Sequence, residues 1–341
     1  MTTLTTIAMV AWLAQATPPA PQGTSAVQPR PTGAQTSEGD DALQLQVMLD
    51  RAGFSPGAID GKMGANTRKA LELFNASGMQ QSASVPPTQT YRITAEDLAG
   101  PFIAGLPKDM MESAKLPALG YTSAIEELAE RFHTTPAFLQ QLNPGITVAA
   151  DQEIQVPNVE PMVLPTATMS VLEPKQPKPM GQRGSASYAP QPTGTSGTEG
   201  QIEKPNLIVT VSKSASALTV TDPGGKVMLY APVTTGSTHD PLPLGEWKVT
   251  SIRFNPAFNY NPDLFWDAEP GHTKATLKPG PNNPVGVVWI DLSKEHYGLH
   301  GTPEPASIGR TQSHGCVRLT NWDALKLAAL AKPGTPVVFK E

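Results

Sequence analysis

Ser313-His314-Gly315-Cys316-Val317-Arg318 holds the one cysteine of the chain, and His300-Gly301-Thr302 lies upstream of it. Cysteine is a strong nucleophile only as its thiolate, and a neighbouring imidazole is the usual means of taking the proton. Two histidines compete for that role. His314 is close in sequence and, in an extended segment, shares a face with Cys316; His300 comes from a separate segment. Gly315 allows a sharp backbone path, so that the N–H groups around Gly315 and Cys316 can point at a developing oxyanion. If Cys316 to Arg318 is extended, both side chains lie on one face, and a guanidinium there clamps a carboxylate. Ser313, Gly301 and Thr302 read as pocket wall and hydrogen-bonding scaffold. His300, His314 and Cys316 are also zinc-type donors, but no Cys-x-x-Cys or His-Glu-x-x-His spacing accompanies them, so no metal and no cofactor is expected.

Outward from this stretch the residues alternate at strand period. Leu207–Val211, Ala217–Thr221, Lys226–Tyr230, Trp247–Ile252, Val285–Ile290 and Pro336–Phe339 read as strands, and Asn321–Leu330 as the one helix. The pattern predicts a mainly β catalytic domain over 205–341, a sandwich or barrel-like sheet with one helix. Phe254 to Trp266 is aromatic and proline-rich, and reads either as a lid over the site or as a packed surface loop.

This half resembles the L,D-transpeptidase (YkuD-type) catalytic domain. The resemblance rests on Pro243-Leu244-Gly245-Glu246-Trp247, Gly280-Pro281-x-Asn283-Pro284-Val285-Gly286, Tyr297-Gly298-Leu299-His300-Gly301-Thr302, Ile308-Gly309 and Ser313-His314-Gly315-Cys316-Val317-Arg318-Leu319. It implies an acyltransferase (aminoacyltransferase class 2.3.2) with Cys316 as nucleophile and His300 as base. His314, Gly315, Ser313 and Gly301 would line the oxyanion hole and pocket, and Arg318 would bind substrate. The implied donor is a peptidoglycan tetrapeptide stem, attacked at the L-centre carbonyl of its third, diamino acid residue with release of D-alanine. The implied acceptor is an amine: another stem, a lipoprotein lysine or a free D-amino acid. The same site used with water is an L,D-carboxypeptidase, and with an inert thiol the chain is a non-catalytic cell-wall-binding protein.

In the N-terminal half, residues 41–78 carry helical periodicity broken by a glycine-rich turn, within a small helical domain expected over 41–105. Leu45, Leu49, Gly53, Phe54, Ile59, Asp60, Gly61, Gly64, Thr67, Ala70 and Phe74 resemble the small helical peptidoglycan-binding domain. Residues 116–159 hold two short helices with flanking extended pieces and resemble a βααβ LysM domain, with Thr122-Ser123-Ala124 where that family has Gly-Asp-Thr/Ser. Residues 1–16 read as a signal peptide ending in Ala14-Gln15-Ala16. Residues 17–40 and 160–203 read as Pro/Gly/Ser-rich linkers.

Across 341 residues the net charge is -5, with 36 prolines and 29 glycines. No Lys/Arg-rich run supports nucleic-acid binding. One cysteine forbids an internal disulfide, so stability must come from packing. The expectation is an exported monomer of the periplasm or cell envelope, with peptidoglycan as partner.

Overall fold

In the computed structural model, residues 38–80, 85–164 and 206–341 are described. The expected signal peptide and most of both expected linkers lie outside them. The first helix, α1 (Glu38–Arg51), buries Leu43, Val47 and Leu49 and stops at Gly53, which adopts φ +84°. α2 (Ala65–Ala76) buries Ala70 and Phe74. Between them Gln46 accepts from the Gly61 N–H at 2.8 Å and donates to Asp60 at 2.9 Å, which braces the glycine-rich turn.

Strand β1 (Thr88–Arg92) pairs antiparallel with β2 (Glu153–Pro157). α3 (Met110–Ser113), α4 (Ala124–Arg131) and α5 (Pro136–Leu142) lie between them in the chain. Ser123 and Thr135 cap α4 and α5 by accepting from the N–H groups of Glu126 and Phe138. The partner of β2 is thus well upstream of the segment just before Ser123. Leu119–Tyr121 cannot serve, because its backbone is engaged elsewhere: Leu119 N–H donates to Pro279 and the Tyr121 carbonyl accepts from Ile103.

The C-terminal half builds one sheet from β3 (Ile208–Ser212), β4 (Ala217–Thr221), β5 (Val227–Pro232), β6 (Gly245–Phe254), β9 (Val288–Leu292), β10 (Gly298–His300), β11 (Val317–Arg318) and β12 (Pro336–Lys340). Its order is β11-β10-β9-β6-β12-β3-β4-β5; β7 (Phe258–Tyr260) and β8 (Ala275–Leu277) form a separate ribbon. The sheet curls until its two edges meet. Beyond β5, Thr234 and Arg318 exchange N–H···O bonds of 3.0 and 2.9 Å. Val209, Val211, Leu218, Val220, Ile290, Leu299 and Val317 share one buried core with Ala324, Leu327 and Ala328 of α6 (Asn321–Leu330), the one α-helix among the described residues of this half. The strand expected at Val285 begins only at Val288. Gly286 (φ +62°) turns the chain, and Asn283 Oδ1 accepts from the Val285 N–H at 3.0 Å, so Val285–Val287 form a loop instead.

The two halves share polar, buried contacts. Asp50 on α1, 3% exposed, accepts from Lys326 Nζ on α6 at 3.0 Å and from His133 Nδ1 at 3.1 Å. Ser55 donates to Asp323 at 2.8 Å, and the Gly53–Ser55 backbone bonds to Tyr230. Burial alone would push the Asp50 carboxyl up; His133 and Lys326 outweigh it and hold it below the usual carboxylate range. Its contribution to stability is therefore present above the unfolded value of about 3.9 and is lost as pH falls through and below it. Lys326→Met removes the ammonium from the buried carboxylate and leaves His133 alone beside it. The expected cost is about 3–5 kcal/mol, read from urea unfolding at neutral pH; a loss below about 1 kcal/mol would show that the pair is not holding α1 to α6.

Candidate active site

Three strands lay out the site as a small grid. β10 pairs parallel with β11 (Leu299↔Val317, His300↔Arg318) and antiparallel with β9 (Gly298↔Asp291, His300↔Trp289). Carrying the parallel register back one residue sets Cys316 opposite Gly298. Leu299 and Val317 face the core, at 1% and 0% exposure. By strand alternation the opposite face presents Trp289, His300 and Arg318 in one row and Asp291, Gly298 and Cys316 in the next. Cys316, His300 and Arg318 thus share a face.

The backbone at the cysteine is bent and pinned. Gly315 has φ +98°, and a Cβ there would lie 2.7 Å from the Tyr297 ring, so both the conformation and the space require glycine. Ser313 Oγ donates to the Cys316 carbonyl at 2.6 Å, and Ser313 N–H donates to Thr235. Among the described residues, the N–H groups of Gly315 and Cys316 have no protein acceptor.

His300 is 4% exposed and stacks on Trp289, with centroids 5.3 Å apart. Its Nδ1 lies 2.7 Å from the Gly301 carbonyl. A carbonyl oxygen can only accept, so Nδ1 carries the hydrogen, and Nε2 of the neutral ring is left with a lone pair. Burial, aided by the Arg318 charge, pushes its pKa down to about 3, against a smaller opposing effect of the Gly301 carbonyl. Cys316 is partly buried and its thiol donates to the His296 carbonyl at 3.7 Å. Burial pushes the thiol up; the Gly298 backbone and the Arg318 charge pull the other way, and Asp291 adds to the rise. The resting pair is therefore neutral imidazole and neutral thiol.

His314 does not extend alongside Cys316, because Gly315 breaks the strand between them. Its Nε2 meets Asp267 at 2.7 Å, and Phe265 packs edge-on to its ring at 4.9 Å. The segment that reads as lid or loop thus reaches the nucleophile stretch through Phe265, and Asp267, just past its end, adds a second contact. Trp266, 60% exposed, stacks on His239 at 4.4 Å. His272 ties this segment to α3: Nδ1 bonds Tyr260 and Nε2 bonds Asp109, each at 2.9 Å. Among the described residues, Asp109, Glu269 and His272 are the one trio of metal-type donors close together, and both ring nitrogens of His272 are already engaged within the protein.

Trp289 and Asn321 also build the site and were not singled out by sequence; Tyr297 and Gly298 stood in the stretch that ends in His300-Gly301-Thr302, with no role of their own. For Trp289 a signal existed: Val288-Trp289-Ile290-Asp291-Leu292 alternates, which sets Trp289 and Asp291 on the face away from the core. Asn321 follows the helix cap Thr320 and carried no such signal.

Residues 206–339 match the family model of the YkuD L,D-transpeptidase catalytic domain. The chain is 33% identical over 131 residues to Bacillus subtilis L,D-transpeptidase YkuD, spanning 38% of this chain and 64% of that protein. It is 50% identical over 60 residues to the Bacillus licheniformis protein of the same name, 18% of this chain and 36% of that one. The chain therefore spans less than two thirds of either relative. Among solved structures, L,D-transpeptidase 3 from Mycobacterium tuberculosis aligns at TM-score 0.33 and 18% identity, over 40% of this chain and 62% of that chain.

A partly buried thiol with a raised pKa should alkylate slowly near neutral pH. The iodoacetamide rate of Cys316 is expected to rise with an inflection above the free-thiol value of about 8.5. Arg318→Met, which removes a stabilising charge, should move the inflection higher still. An inflection near 6 in the unaltered protein, or a fall in Arg318→Met, would contradict the electrostatics described.

Proposed function

We propose that the chain is a peptidoglycan L,D-transpeptidase working through a Cys316 thioester. The observation that carries the reading is the shared face of Cys316, His300 and Arg318, beside two backbone N–H groups that have no protein acceptor among the described residues. Similarity of residues 206–339 to the YkuD catalytic domain supports it. With a stem carbonyl seated over Gly315 and Cys316, Sγ attacks the carbonyl carbon and the thiol proton passes to His300 Nε2. The tetrahedral oxyanion takes the Gly315 and Cys316 N–H bonds, an interaction worth about 3 kcal/mol per donor. His300 then gives the proton to the departing nitrogen as the C–N bond to D-alanine breaks, which leaves a thioester. An acceptor amine reverses the sequence: it loses a proton to His300, forms the new amide, and returns the thiol.

The neutral resting pair fits general-base catalysis in which proton transfer accompanies attack, not a standing thiolate–imidazolium pair. Arg318 has no ion-pair partner within salt-bridge distance among the described residues, and its guanidinium is available to a substrate carboxylate. In this reading residues 41–105 and 116–159 are wall-binding modules of the peptidoglycan-binding and LysM kinds, which raise the local concentration of stems. The protein is exported to the periplasm or envelope and acts as a monomer. The acceptor amine is a second stem, a lipoprotein lysine or a D-amino acid.

His300→Ala is expected to slow thioester formation by about 10²- to 10⁴-fold, and His314→Ala by less than about tenfold. Equal losses would remove His300 from the base role. Cys316→Ala should form no acyl-enzyme yet still bind isolated wall sacculi. Failure of that folded variant to bind would contradict the division of labour between the halves.

A further inference from the structure

α4 carries a carboxylate where burial is costly. Glu130 is 7% exposed, and both its oxygens are engaged: the Tyr121 hydroxyl donates to Oε2 at 2.7 Å and Asn321 Nδ2 donates to Oε1 at 2.8 Å. An apolar side chain at this helical position would avoid the desolvation of a charge. The carboxylate instead reaches across to the first residue of α6.

Asn321, at 0% exposure, is wedged under the loop that follows His300. Its Oδ1 accepts from the Val287 N–H at 3.2 Å, and its Nδ2 also donates to the Pro281 carbonyl at 3.2 Å. A Cβ on Gly286 or Gly301 would lie 2.0 or 2.1 Å from that oxygen, so the amide fills the space those two glycines leave. Gly301 is the residue whose carbonyl holds His300 Nδ1. The path runs from Glu130 to Asn321, to the Gly301 backbone, to the imidazole, with contact at each step. A second set of bonds holds α4 to the same region: Asn282 Nδ2 donates to Glu126 at 3.0 Å and to the Gly120 carbonyl at 2.9 Å.

We propose that Glu130 is a positioning residue for His300, contributed by the N-terminal half: it holds the Asn321 amide, which sets the Gly301 carbonyl and through it the tautomer and placement of the base. The N-terminal half is then part of the catalytic machinery and not only a tether. This inference rests on the reading of His300 as the base. Glutamine at position 130 keeps an oxygen for Asn321 and can donate to a rotated Tyr121 hydroxyl. Methionine fills the volume and offers Asn321 nothing.

The test times thioester formation on Cys316 from a disaccharide-tetrapeptide by rapid-quench mass spectrometry. The full chain, Glu130→Gln, Glu130→Met, Tyr121→Phe and His300→Ala are compared, each with its urea midpoint. Glu130→Met is expected to lower the saturating acylation rate by about 10- to 100-fold with an unchanged half-saturating donor concentration, while Glu130→Gln and Tyr121→Phe stay within about threefold. Tyr121→Phe removes one bond to the carboxylate without touching Asn321, so it reports a purely structural loss. A Glu130→Met variant at the unaltered rate overturns the proposal. So do a Glu130→Gln variant as slow as Glu130→Met, and rate losses that simply follow the urea midpoints. Thioester formation in which His300→Ala matches the unaltered protein overturns the base assignment and this inference with it. No thioester in the unaltered protein overturns the activity reading itself, and the inference falls with it.

Discussion

Two backbone hydrogen bonds between Thr234 and Arg318 join the edges of the curled sheet, and the site exists because of them. β11 is two residues long and pairs with β10 through the same short span. So little pairing does not hold a strand by itself. Thr234 supplies a second partner on the other side, Ser313 ties the turn to Thr235 and to the Cys316 carbonyl, and Leu319 N–H bonds the His300 carbonyl. Only with the strand fixed on both sides do Cys316 and Arg318 share a face with His300. The same closure protects two edges that would otherwise offer unpaired N–H and C=O groups.

Burial at this site works against charge separation, and the residues respond by staying neutral. His300 gives its Nδ1 hydrogen to a carbonyl and keeps Nε2 as a base lone pair, while the Arg318 charge discourages protonation. That charge also favours thiolate at Cys316, so one guanidinium disfavours imidazolium and favours sulfur anion. The balance keeps the nucleophile uncharged until a carbonyl arrives to accept the electrons. Protonation of His300 belongs to the unfolded chain in acid. Stability linked to it rises with pH through the interval from about 3 to about 6.5 and is complete above it.

Much of the catalytic half was legible because period and length agreed. Ala217–Thr221 matches its strand and Asn321–Leu330 its helix residue for residue, and the pairing of Cys316 with Arg318 on one face followed from alternation alone. β10 and β11 were not legible as strands: three and two residues carry no period, and their pairing is set by tertiary closure. Val285–Val287 look like strand by composition, but Gly286 and the Asn283 side chain impose a turn. β1 escaped notice because Thr88-Gln89-Thr90-Tyr91-Arg92 sits beside helical segments, and only pairing with Glu153–Pro157 reveals it. Least visible was the contact between halves. Asp50, Glu130 and Asn321 are polar residues on helices whose own segments carry no sign of burial; each is buried with a partner from the other half. Composition and spacing report such partners poorly.

Whether Cys316 carries the acyl group is read by intact-protein mass spectrometry during turnover of disaccharide-tetrapeptide. The expected species is an adduct on Cys316 with the mass of the donor less D-alanine, discharged when a stem amine is added and accompanied by cross-linked dimers. An unmodified Cys316 alongside unchanged muropeptides would contradict it and leave the chain as a wall-binding protein; an adduct discharged only to tripeptide monomers would make it a hydrolase.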